Sequence, residues 1–116
     1  MCRGIARDSS QNTYFHCANA LWEMPSNGSP QVIDASLEWL NSMSLSETYL
    51  YFQDTQGVLG RRPLGSGTLP VEVLLDGLMD STVRYSKPLN AVFFLEYGSK
   101  EGLYFDGTLR VLTHIE

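Results

Sequence analysis

SPQVIDASLEWLNSM, residues 29–43, is the stretch whose reading decides whether the chain contains helices. Ser29 is a favourable N-cap, and Pro30 falls at the first helical position, where its missing N–H leaves nothing unsatisfied. Ile33, Leu37 and Leu40 recur at helical spacing, flanked by Val32, Trp39 and Met43, while Asp34, Glu38 and Asn41 fall on the opposite side. The pattern predicts an amphipathic helix over 30–43. Further along, Pro70 predicts the opening of another helix, with Val71, Leu74, Leu75, Leu78 and Met79 as its buried stripe. Upstream, residues 11–24 place Tyr14, Cys17, Ala18 and Leu21 at the same spacing, although Tyr14 to Cys17 also reads as a strand. Pro25 followed by Ser26-Asn27-Gly28 ends either element. Residues 1–10 read as a loose lead-in or a short edge strand.

Strand signals fill the rest. Thr48 to Phe52 is aromatic and β-prone, Asp54 to Gly57 reads as a turn, and Val58-Leu59 begins a returning strand. Arg61 to Gly67 (RRPLGSG) reads as a basic loop. The continuous apolar run Ala91 to Tyr97 predicts a central strand covered on both faces. A turn at Gly98 to Gly102 leads to Leu103-Tyr104-Phe105, and Asp106-Gly107 signals a hairpin into Thr108 to Ile115, with Leu109, Val111, Thr113 and Ile115 inward. The expected fold is therefore α+β: one mostly antiparallel sheet of about five strands packed against two to three helices, in the order α-α-β-β-α-β-β-β.

A chain of 116 residues with 43% hydrophobic side chains has the size and composition of a single globular domain, here residues 1–116. It contains no apolar run near the ~20 residues that span a bilayer. Its first residues lack the apolar core of a secretory signal, which predicts a cytoplasmic protein. Cys2 and Cys17 are too few for a disulfide scaffold and are expected as reduced thiols. With 8 basic against 13 acidic residues, the net charge of −5 disfavours nucleic acid and anionic membranes as partners and favours a basic one.

Catalytic patterns fail on spacing. Met1-Cys2 with Gly4-Ile5 resembles the opening of the N-terminal-nucleophile glutamine amidotransferases, but Arg3 interrupts the pattern, and that fold needs two large stacked sheets. Cys2, His16, Cys17 and His114 lack the close ligand pairs of a structural zinc site. A Cys17 nucleophile with His114 as its base is the form an enzymatic reading takes. Gly65-Ser66-Gly67-Thr68 has neither of the phosphate-loop spacings, which leaves anion contact by Arg61 and Arg62 as that loop's candidate role. The aromatics lack the basic groove of a single-strand stacking platform, and core packing accounts for them. No cofactor or metal is expected, and no enzyme activity.

One charge pattern remains. On the expected helices, Glu72, Asp76 and Asp80 recur every four residues, as do Asp34 and Glu38. Such neighbours repel by a few tenths of a kcal/mol per pair. They read as negative strips that meet a basic partner. The expected function is a small acidic protein-binding inhibitor or adaptor, like immunity proteins and antitoxins in size and charge, acting on a basic, nuclease-like protein. The alternatives are a small enzyme or ligand binder, and a homodimer formed by edge strands.

Overall fold

A computed structural model describes residues 2–37, 39–78, 82–97 and 107–116. Among the described residues there are eleven strands in three antiparallel sheets and no helix. The first sheet is β1 (Cys2–Arg7), β2 (Thr13–Cys17), β3 (Ala20–Met24) and β4 (Gln31–Asp34), in that order. The middle sheet is β5 (Leu40–Leu45), β6 (Tyr49–Asp54), β7 (Leu59–Pro63) and β8 (Glu72–Leu75), also in sequence order. The third sheet is β9 (Val83–Ser86), β10 (Ala91–Tyr97) and β11 (Gly107–Thr113), with β10 in the centre. Every paired strand is a sequence neighbour, so the sheets are meanders built from local turns.

The expected α+β class is overturned: the fold is all-β. The stretch expected as a helix over 30–43 is β4, a turn at Ala35-Ser36, and the start of β5. Ile33, Leu37 and Leu40 do share one core, together with Met43. Three consecutive elements deliver them there, so an apolar spacing that mimics a helix arises from a strand, a loop and a strand. The second expected helix is β8, ended at Asp76-Gly77, where Gly77 adopts φ +76°. Val71, Glu72 and Val73 are all exposed there on an edge strand. Residues 11–24 take their strand alternative as the β2–β3 hairpin, turned by Ala18 and Asn19, both with positive φ.

The middle sheet is covered on both faces. Leu50 and Phe52 of β6 join Tyr14, Leu21, Ile33, Leu37, Leu40 and Met43 in one core, between the first and middle sheets. Tyr51, between them in sequence, points the other way and packs with Leu59, Leu78, Val83, Val92 and Phe94, between the middle and third sheets. Period-two alternation thus loads two cores from one strand. The doubly covered strand is β6, whereas β10, central in its own sheet, buries Ala91, Val92 and Phe94 and leaves Phe93 and Leu95 half-buried.

Close approach explains two glycines. A Cβ on Gly60 would lie 2.8 Å from the Phe52 ring, and one on Gly57 would lie 2.4 Å from the Leu78 carbonyl oxygen. On the third sheet, β11 returns along β10 in unbroken register from Tyr97↔Gly107 to Ala91↔Thr113. Its faces are opposite to the expectation, with Leu109, Val111 and Thr113 exposed and Leu112 packed on the core; Ile115, beyond the strand, packs inward as expected. Leu103-Tyr104-Phe105 and the turns on either side of it lie outside the described residues. The edge of β9 is satisfied by side chains, since the Val83 and Tyr85 N–H groups donate to the Ser42 and Ser44 hydroxyls of β5.

Candidate functional site

Among the described residues the helical repeat that the expected acidic strips require is absent, since Asp34 and Glu72 lie on strands. Asp34 is buried at the end of β4 and faces Arg62 of β7 at 3.2 Å, both side chains fully enclosed. The Ser36 N–H and hydroxyl both donate to its other oxygen. Burial pulls the Arg62 guanidinium below its usual range, opposed by Asp34. Arg61 to Pro63, expected as part of a loop, belong to β7, and Arg62 Nη2 donates to the Gly65 and Gly67 carbonyls of the turn that follows. Arg62 is thus spent inside the fold, unavailable to a solvent anion. Arg61 lies on the opposite face of β7, pairs with Glu72 at 3.0 Å, sits 4.1 Å over the Tyr49 ring and donates to the Ile115 carbonyl. Asp76 is exposed and accepts the Gly77 N–H. Glu38 and Asp80 lie outside the described residues.

The cysteine reading is corrected in the same way. Cys2 and Cys17 are joined in a disulfide across β1 and β2, so neither is a reduced thiol and Cys17 holds no free thiolate. His16 points to the opposite face of β2, where its Nε2–H donates to the buried Leu37 carbonyl. His114 follows the third sheet, with positive φ, exposed to solvent. The structure does not bring His114 and Cys17 together on one sheet. No group of three or more metal-ligating side chains occurs among the described residues. None of the helices a bilayer span requires is present among them either.

A groove of ≈350 Å³ opens where the β1–β2 turn meets the β5–β6 turn and β9, lined by Arg7, Leu64, Tyr85 and Lys87 among others. Its acids and one of its serines are engaged internally. Asp8 accepts from Ser10, Asn12 N and Asn12 Nδ2, Ser46 accepts from Thr48 and Tyr49, and Glu47 pairs with Lys87. It offers no nucleophile with an oriented base.

What the sequence reading missed is the outer face of the first sheet. Direct cross-strand register places Ile5 opposite Phe15, Phe15 opposite Trp22, and Trp22 opposite Val32. Residues directly opposite share a face, so these four form one apolar row across the entire sheet. Ile5 is 73% exposed and Val32 46% exposed at its two ends. The Phe15 and Trp22 rings stack between them with centroids 6.0 Å apart and planes 10° apart. The row is flanked by Cys2–Cys17–Ala20 on one side and by Arg7–Thr13–Met24 on the other. In these three rows the only charged side chain is Arg7, and no carboxylate stands among them. Trp22 is held by its indole N–H, which donates to the Cys17 carbonyl at 2.8 Å.

The inward residues of the same strands show how deliberate the partition is. Tyr14, His16 and Leu21 are buried on the core face, and burial with the Glu23 carboxylate pushes the Tyr14 hydroxyl up to about 12. A two-faced hairpin with large apolar groups on both sides was legible in Tyr14-Phe15-His16 against Leu21-Trp22, had the period been taken as two. No family model, curated protein or solved structure matches the chain.

Proposed function

We propose that the chain is a small protein-binding module of the inhibitor or adaptor kind, docking through the outer face of its first sheet onto a protein with a basic surface. The observation that carries this is the row Ile5–Phe15–Trp22–Val32, an apolar stripe left in water at both ends. Contiguous exposed apolar patches of this sort mark contact surfaces, whereas scattered single residues do not. Because Phe15 and Trp22 stack on each other, each ring has at most one face free. That disfavours base or sugar stacking and favours aliphatic or aromatic side chains of a protein.

Charge complementarity selects the partner. The rows of the face hold no carboxylate, and the chain as a whole carries a net charge of −5. A basic rim on the partner gains long-range attraction without burying an unpaired charge at the centre. This geometry is also compatible with neutralising a nuclease-like protein. The docking face carries the closed Cys2–Cys17 bond, which an oxidising compartment favours over the cytoplasm expected from the sequence.

The test is a comparison of the wild-type chain with the Ile5→Ser/Val32→Ser double variant in pull-downs from the native host. A basic protein retained by the first, lost by the folded variant, and bound with a salt-dependent on-rate is the expected result. If both retain the same proteins, the face is not the docking site. Should the wild type instead form a dimer that the variant dissolves, the occupant is a second copy and the partner assignment fails.

A further inference from the structure

We infer that the Cys2–Cys17 disulfide is a redox-controlled clasp that holds the Ile5 end of the docking face in place. The inference rests on the docking reading above and adds its regulation. Three features of β1 support it.

β1 is held weakly by burial. It is the edge strand of its sheet and none of Cys2, Arg3, Gly4, Ile5, Ala6 or Arg7 is fully buried, so apart from β2 its support comes from lying alongside β5. Regular pairing with β2 covers only Ile5 to Arg7, opposite Phe15 to Thr13. Between Ile5 and Cys2 a bulge breaks the register, and the next pair is Cys2↔Cys17 itself. Arg3 and Gly4 are therefore spanned by a regular pair on one side and by the disulfide on the other. Arg3 also donates an exposed hydrogen bond to the Asn41 side chain of β5.

The clasp bears on both faces of the sheet. On the inner side the Gly4 backbone lies against Met43, close enough that an added Cβ would stand 3.2 Å from its Cγ, and Met43 is a member of the buried core. On the outer side Cys17 adjoins the apolar row, and its carbonyl receives the Trp22 indole N–H. Opening the disulfide frees residues 2–4, uncovers Met43 at the sheet edge and leaves Ile5 as the last paired residue of a fraying strand. The docking row then loses its most exposed member.

The bond is placed to be opened. Cys2 is exposed and Cys17 half-exposed, so a dithiol reductant reaches the sulfurs without unfolding the sheet. In that reaction the S–S bond breaks, two electrons and two protons pass to Cys2 and Cys17, and the dithiol closes to its own disulfide. An oxidising compartment favours the closed clasp and a reducing one the open clasp.

The experiment follows residue-resolved amide hydrogen exchange of the wild-type chain before and after dithiothreitol, with reduction confirmed by mass. Exchange at Arg3, Gly4 and Ile5 is expected to accelerate at least about tenfold, while Tyr51 and Phe52 are unchanged. The Cys2→Ser/Cys17→Ser variant should match the reduced chain, and Trp22 emission, read in a Trp39→Phe background, should shift with the same midpoint in a dithiol redox buffer. Unchanged exchange at residues 3–5 with both thiols free overturns the clasp. Uniform acceleration through all three sheets also overturns it, because the bond would then be a general cross-link. None of these readouts needs a partner. If the oxidised chain captures no partner sensitive to Ile5→Ser/Val32→Ser, only the docking reading falls. A captured partner bound equally by both redox forms removes the control and leaves the docking face standing.

Discussion

Tyr51 and Tyr85 stack between the middle and third sheets with centroids 5.4 Å apart and planes 7° apart; Phe15 and Trp22 stack in nearly the same geometry on the outside of the first sheet. The inner pair is tied down. The Tyr51 hydroxyl donates to the Glu116 carboxylate at 2.5 Å and accepts from Arg61, which itself pairs with Glu72 and covers Tyr49. The outer pair has one polar tie, from Trp22 to a backbone carbonyl, and apolar neighbours that run out into water. Aromatic stacking is therefore not what separates structure from function in this chain. The separation lies in whether the surrounding polar groups are spent within the fold.

The largest effect should come from breaking the interior side of this contrast. Arg62→Met leaves Asp34 enclosed without its counter-charge, and such a loss costs about 3–5 kcal/mol. Chemical denaturation should show the drop, and adding Asp34→Asn should recover part of it. If Arg62→Met alone is neutral, the middle sheet is not held as described.

Tyr51→Phe removes a charge-assisted hydrogen bond while keeping the stacked ring, and should cost about 1.5–3 kcal/mol. The same interior tyrosines carry an alkaline liability. Burial raises the Tyr51 hydroxyl, with Glu116 adding to the effect, and raises Tyr14 to about 12 from an unfolded value of 10.0. Their contribution is fully present below pH 10.0 and falls as pH climbs toward the folded value, because the unfolded chain releases these protons first. Melting temperatures between pH 9 and 11 should therefore fall less steeply in Tyr14→Phe than in the wild type.

On the outer face the expected stability changes are the smallest. Ile5→Ser and Val32→Ser should each fall within about 0.5 kcal/mol of the wild type, since their side chains already stand in solvent. A large loss of stability at either position would make the row a structural element and erase the contrast with the middle sheet.

The elements legible in the sequence are those whose pattern admits one partner geometry. Thr48 to Phe52, the Asp54–Gly57 turn and the strand beginning at Val58-Leu59 read nearly as they fold, and Ala91 to Tyr97 is a central strand as expected, though not one buried on both faces. The Gln31–Asp34 and Glu72–Leu75 strands did not, because a short apolar run has no period of its own and a preceding proline serves a strand edge as well as a helix start. Alternation in Val71-Glu72-Val73 and the following Asp76-Gly77 carried the contrary signal. The docking face escaped for a related reason: Phe15 and Trp22 are indistinguishable from core residues until cross-strand register shows which face they share.

By itself, then, the sequence determined the acidity, the absence of close-spaced metal and phosphate motifs, and the strands whose alternation or aromatic content is unambiguous. Only the tertiary structure decided that the remaining amphipathic stretches are strands. It also decided that Asp34 and Arg62 neutralise each other, that Cys2 meets Cys17, and that four apolar residues from four strands align in the open. Strand identity and strand faces are settled by hydrogen bonds and contacts to neighbouring strands, which spacing along one strand does not encode.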